Sequence, residues 1–154
     1  MPIIDREQVP VLTGSKYPAP YDAPCRTRRV RRLGEAAGLT RLGVAEVVLP
    51  PGAWSSQRHW HAEEDEFVVV LEGEVVLVTD EGETVLRAGD CAAFKAGDRN
   101  GHCAQNRSAA PARLLACSNR SPDDHGEYPG LDLVFAGNRY AGQGRYLHRG
   151  GTPY

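Results

Sequence analysis

No apolar run in this 154-residue chain approaches the ~18 residues of a membrane-spanning helix. The opening residues, Met1-Pro2-Ile3-Ile4-Asp5-Arg6-Glu7, lack the apolar centre of a secretory signal, so a cytoplasmic protein without membrane contact is expected. Four cysteines, Cys25, Cys91, Cys103 and Cys117, include no Cys-x-x-Cys pair. At this size that predicts reduced thiols in or near a core rather than a disulfide framework. Helical periodicity is almost missing: the best stretch, Leu33–Leu42, contains Gly34 and Gly38 and predicts one or two turns at most. A formal charge of −2 gives no global basic footprint, so nucleic acid is not an expected partner. Internal repeats and low-complexity segments are also missing.

What the chain does have is short valine-rich runs punctuated by glycine, proline and aspartate. Val44–Leu49, Glu66–Leu71, Glu74–Thr79, Thr84–Arg87, Cys91–Phe94, His102–Arg107 and Ala112–Ser118 recur at a spacing that predicts strands of an all-β sandwich or barrel. The length fits a single domain. Residues 1–25, with Pro10, Pro18, Pro20 and Pro24, read as an extended N-terminal arm, and 130–154, rich in glycine, as a loose C-terminal one carrying Phe135, Tyr140, Tyr146 and Tyr154. The barrel core is expected over about residues 40–120.

Two segments carry the chemistry. In Gly52-Ala-Trp-Ser-Ser-Gln-Arg-His-Trp-His-Ala-Glu-Glu-Asp-Glu66, alternation along a strand puts His59 and His61 on one face and Trp60 on the other. Two imidazoles so placed, with a carboxylate returning on the next strand, make half of a metal shell suited to Zn, Cu, Fe, Ni or Mn. In the second segment, Gly89 to Asn106, His102, Ala104 and Asn106 share a face while Cys103 points away from it. Cys103 is therefore read as a core thiol rather than a ligand. Glu63, Glu64 and Asp65 compete with Glu66 for the carboxylate role and are read as solvated loop acids. His125 and His148, outside both segments, are expected to be exposed.

With Gly52, His59, His61, Glu66 and Gly73 in the first segment and Gly89, Gly97, His102 and Asn106 in the second, the chain resembles a single-domain cupin. It departs from the family pattern in having six residues between Gly52 and His59, Lys95 in place of a proline, and four residues between Gly97 and His102. The resemblance implies a double-stranded β-helix, or jelly roll. It also implies one divalent transition metal per chain, Fe, Mn, Ni or Zn, held by His59, His61, Glu66 and His102. A small-molecule ligand then completes the open coordination positions. Trp54, Gln57 and Arg58, just before the first ligand, are expected at the pocket mouth with Asn106. The expected activity is metal-dependent chemistry of oxygenase, lyase or isomerase type on a small polar or acidic molecule. A non-catalytic binding or sensor barrel is the alternative reading.

Charge is unevenly spread. Residues 1–32 hold seven basic and three acidic groups, and 63–90 hold ten acidic groups and one arginine, Arg87. The run Arg26-Thr-Arg-Arg-Val-Arg-Arg32 is read as a solvated strand whose guanidiniums meet the acidic segment. An anion site is the sharper alternative. The apolar and aromatic groups of the two arms (Val9, Val11, Leu12, Tyr17, Tyr21, Phe135, Tyr146) exceed what a small barrel should cover, and a homodimer is therefore expected.

Overall fold

The computed structural model describes residues 3–154. Its strands are β1 (Val11–Thr13), β2 (Arg29–Arg32), β3 (Leu42–Leu49), β4 (Glu66–Glu72), β5 (Glu74–Thr79), β6 (Gly82–Arg87), β7 (Cys91–Phe94), β8 (His102–Gln105), β9 (Ala112–Asn119), β10 (Gly126–Glu127), β11 (Val134–Ala136) and β12 (Arg145–Leu147). Among the described residues the one α-helix is a single turn, α1 (Leu33–Ala36), as the glycines of that stretch require. β1-β2-β3-β9-β4-β7 form a six-stranded sheet, and β6-β5-β8 and β10-β11-β12 form two three-stranded sheets, with every pairing antiparallel. This is the all-β jelly roll expected.

Alternation fills the space between the larger sheet and the β6-β5-β8 sheet. Val47 and Leu49 of β3, Val70 of β4, Leu114 of β9, Val75 of β5 and Ala104 of β8 make one buried cluster. β-branched and leucine side chains standing off facing pleated sheets bury apolar area at about 25 cal/mol per Å². Gly73, in the turn from β4 to β5, has φ +74, and a Cβ there would lie 2.8 Å from the Pro111 carbonyl oxygen. Only glycine meets both demands.

The C-terminal segment, expected as a loose arm, is tied down as the third sheet. Tyr128, Leu133 and Phe135 are buried, and Tyr17, Tyr21, Leu131 and Tyr146 pack against them. The arms' aromatics are thus covered largely within one chain, although Val11 and Leu12 stay exposed.

The arginine run also finds partners other than those expected. Arg31 bonds Glu46 (3.1 Å) and Glu7 (3.3 Å), Arg32 bonds Glu35 (3.1 Å), and Arg26 bonds Asp22 (2.7 Å). Two strands, β3 and β9, separate β2 from β4, which puts the 63–90 acids out of reach. Glu46, 2% exposed, draws Arg6, Arg31 and Arg113 together on the outer face of the large sheet. All four cysteines are free, but Cys91 is exposed rather than near the core. Among the described residues, no helix is long and apolar enough to cross a membrane.

Candidate metal centre

Residues 53–62 cross from one three-stranded sheet to the other. Ser55 N–H donates to Ala104 O (2.8 Å) and His59 N–H to His102 O (3.1 Å), so the segment's first half runs beside β8. Its second half leans on β10, with Trp60 N–H to Glu127 O (3.3 Å) and Ala62 N–H to His125 O (2.8 Å). Gly126 permits that approach, because a Cβ there would sit 2.0 Å from the Trp60 carbonyl oxygen and 2.6 Å from the Phe135 ring. The expected strand is reduced to isolated bridging at His59, yet alternation survives. Trp60 is buried on the opposite side, under the Arg99 guanidinium 5.2 Å from its ring centre.

His59 Nε2 and His61 Nε2 lie 3.1 Å apart. Glu66 Oε2, brought in by β4, is 3.9 Å from each. His102 Nε2, from the start of β8, is 2.9 Å from the same oxygen. His59, His61 and Glu66 therefore cluster, with His102 against the glutamate from a third piece of chain. Ligands each about 2.0–2.2 Å from one ion are separated by roughly 3–4 Å, as the His59, His61 and Glu66 atoms are, while His102 meets the group through Glu66.

The hydrogen bonds behind the rings define their chemistry. His59 Nδ1 is 2.9 Å from the Gln57 carbonyl oxygen and His61 Nδ1 is 2.7 Å from Asp124 Oδ2. Both partners only accept, so both Nδ1 atoms carry a proton, which in the neutral ring leaves each Nε2 a lone pair. Burial, reinforced by neighbouring His102 and His61, lowers His59 from 6.5 to about 3, which keeps it neutral at pH 7. Two lone pairs facing each other at 3.1 Å repel unless they share a cation. Burial pushes Glu66 upward, but the His102 hydrogen bond and the three imidazoles outweigh it, leaving the carboxyl at about 2 and ionised. Imidazoles around a carboxylate form a donor set that fits a divalent transition metal.

His102 differs from the other two rings. Its plane stacks on Phe94 (centroids 3.5 Å, 4° apart), and its buried Nδ1 has no hydrogen-bond partner.

Glu63 and Asp65 are exposed, as expected of loop acids, but Glu64 is not. Glu64, 3% exposed, accepts from Ser121 N–H (2.9 Å), Tyr140 O–H (2.5 Å) and Arg139 Nη2 (2.7 Å). Asp65 accepts from Ala96 N–H (2.8 Å), which ties the first segment to the loop after β7. His61, Glu64 and Asp124 are close enough to hold a second ion. The Arg139 guanidinium, 2.7 and 2.8 Å from the two carboxylates, already supplies that positive charge.

Four residues expected at the mouth lie elsewhere. Trp54, Gln57 and Arg58 line a depression of about 260 Å³ with Cys103, Gln105 and Pro129, on the face of β8 away from His102. The segment's pairing with β8 turns these side chains outward, where Gln57 donates to Tyr21 O (2.7 Å) and Arg58 to Pro129 O (3.2 Å) and pairs with Asp80. Asn106 is fully buried, and its amide donates to Leu49 O (2.7 Å) and Ala110 O (2.8 Å), which makes it a loop brace. His125 is exposed, whereas His148 is half-buried against Tyr154. Asp124, Arg139 and Tyr140 carry no signal in the sequence, since they meet the site across 63 to 76 residues of chain.

Comparison with family models matches residues 45–117 to the description "Cupin domain". A sugar phosphate isomerase of the cupin superfamily from Silicibacter pomeroyi is 42% identical, with a TM-score of 0.94 over 99% of this chain and 96% of that one. A structure from Acidithiobacillus ferrooxidans (24% identity, TM-score 0.73, 83% and 80% covered) shares the fold. So does a polyketide cyclase from Streptomyces resistomycificus (20% identity, TM-score 0.66, 85% and 87% covered). Comparison with curated proteins gives no match.

Proposed function

The chain belongs to the cupin superfamily, and from that premise we propose that it is a divalent-metal-dependent isomerase of small phosphorylated sugars. The observation that carries the reading is the likeness, over 99% of this chain, to a cupin sugar phosphate isomerase. The cluster of His59, His61 and Glu66, with His102 against Glu66, supports the metal requirement. An ion held there supplies Lewis acidity to a substrate oxygen.

The residues supply the rest of the setting. Three neutral imidazoles and one carboxylate leave a divalent centre near a net charge of +1, which favours an anionic or enediol-like oxygen donor. Phe94 stacked on His102 and Phe135 set 5.2 Å from the His61 ring place apolar surface beside the donors. Low local polarity strengthens the hold on a developing oxyanion. Aldose–ketose interconversion moves one hydrogen between adjacent carbons and exchanges carbonyl with hydroxyl, so it needs no outside oxidant or reductant.

The test is NMR of aldose and ketose phosphates of three to seven carbons in D2O, with the chelator-stripped protein restored by Mn, Fe, Ni or Zn. Metal-dependent interconversion with deuterium entering at the carbon next to the carbonyl is expected. No interconversion across the whole panel would overturn the assignment.

We also propose a homodimer. Phe67 (44% exposed) and Leu71 (38%) on the outer face of β4, with Val11 and Leu12 at the sheet edge, leave apolar surface that a second copy would cover.

A further inference from the structure

The three imidazoles of the centre are backed in three different ways. His59 Nδ1 donates to a peptide carbonyl, His61 Nδ1 donates to a carboxylate, and His102 Nδ1 has no partner. A carboxylate behind an imidazole raises the basicity of the far nitrogen and fixes the ring's orientation. A peptide carbonyl does so less, and an unpartnered ring gains neither.

Asp124 is itself held from all sides. It is 1% exposed, its Oδ1 accepts from Glu63 N–H (3.0 Å), and its Oδ2 accepts from both His61 Nδ1 (2.7 Å) and Arg139 Nη2 (2.8 Å). The same Arg139 nitrogen donates to Glu64 Oε2 (2.7 Å), and Tyr140 O–H donates to Glu64 Oε1 (2.5 Å). Arg139 and Tyr140 lie in one 3₁₀ turn, Arg139–Ala141, whose start is capped by Asn138 accepting from Tyr140 N–H and Ala141 N–H. A buried carboxylate is costly unless its oxygens are fully engaged, and here the partners hold it against the ring.

We propose that Asp124 is the positioning residue of the metal centre. Locked by Arg139 and Glu64, it makes His61 the strongest of the three imidazole donors and ties the centre to the C-terminal turn. This rests on the reading of His59, His61, Glu66 and His102 as metal ligands. The C-terminal segment thereby has a role at the centre without contributing a ligand.

Two measurements test it. Long-range ¹H–¹⁵N NMR of the chelator-stripped wild-type protein reports which His61 nitrogen is protonated, and Nδ1–H is expected. Titration with Co(II), followed by calorimetry and visible absorption, then compares wild type with Asp124→Asn. The asparagine amide can offer N–H to Nδ1 and so turn the ring to the Nε2–H form. An affinity loss of about 10–100-fold, with a shifted cobalt band, is expected. Asp123→Asn, at the exposed neighbour, should change neither.

A wild-type His61 carrying its proton on Nε2 overturns the proposal, and that measurement stands even where Asp124→Asn fails to fold. A folded Asp124→Asn with wild-type affinity and spectrum overturns it as well. Wild-type protein that takes up no Co(II) refutes the metal reading itself, which is a separate outcome.

Discussion

Acid should destabilise the metal-free protein through His59 before any carboxylate matters. The folded environment lowers His59 from 6.5 to about 3, with burial the largest cause, so below pH 6.5 the unfolded chain binds a proton that the folded chain refuses. Stability therefore rises with pH across that window. The contribution is fully present above 6.5, falls as pH drops, and stops changing near 3. With a limiting slope of about 1.4 kcal/mol per pH unit, lowering pH from 7 to 5 removes about 2 kcal/mol. Glu66 adds to the loss only below its ordinary 4.5, so pH 5 isolates the histidine. Urea denaturation of chelator-treated wild type and His59→Asn at pH 7 and 5 measures this. Wild type should lose about 2 kcal/mol more than the variant. Parallel losses in the two proteins, or a wild type that gains stability in acid, would refute the argument that the ring is held neutral by burial.

Other substitutions probe the ribbon and the donors. Gly126→Ala drives a methyl onto the Trp60 carbonyl and the Phe135 ring, and should cost about 3 kcal/mol or more in denaturant unfolding together with metal affinity. Glu66→Gln should weaken metal binding, read by calorimetry, more than the ~10–100-fold typical of losing an outer partner. His125→Ala should leave it unchanged. Asn106→Ala leaves the Leu49 and Ala110 carbonyls without their donor, and should cost about 2–3 kcal/mol by denaturant unfolding without changing metal affinity. Light scattering at micromolar concentration should return twice the 16.8 kDa chain mass, and a value near 16.8 kDa would refute the dimer.

Strand identities were legible because the valine-rich runs at β4 and β5 are short and β-branched, which suits a pleated sheet, and turn residues bound them. Alternation alone pairs His59 with His61, whereas Glu66 and His102 were legible only through the spacing of the cupin motifs; the structure clusters the first three and sets His102 against Glu66. Trp54, Gln57 and Arg58 were misplaced because adjacency to a ligand says nothing about which side of β8 a side chain faces. Asn106 was misplaced although alternation puts it on the His102 face, because the chain leaves β8 at Gln105 and the amide turns to satisfy loop carbonyls. Glu64 looks like its solvated neighbours in sequence. Its burial depends on Arg139 and Tyr140, which arrive from a segment whose glycines hide its order.

The donors sit on separately folded pieces: Glu66 on the six-stranded sheet, His102 on the β6-β5-β8 sheet, and His59 and His61 on the ribbon between that sheet and the C-terminal one. An ion joining them is a stitch through three layers. Its departure is then coupled to breathing of the whole barrel end rather than to one side chain swinging away. Metal release, amide exchange at β8 and exchange at β10 should share a single rate constant, set by how often the layers part.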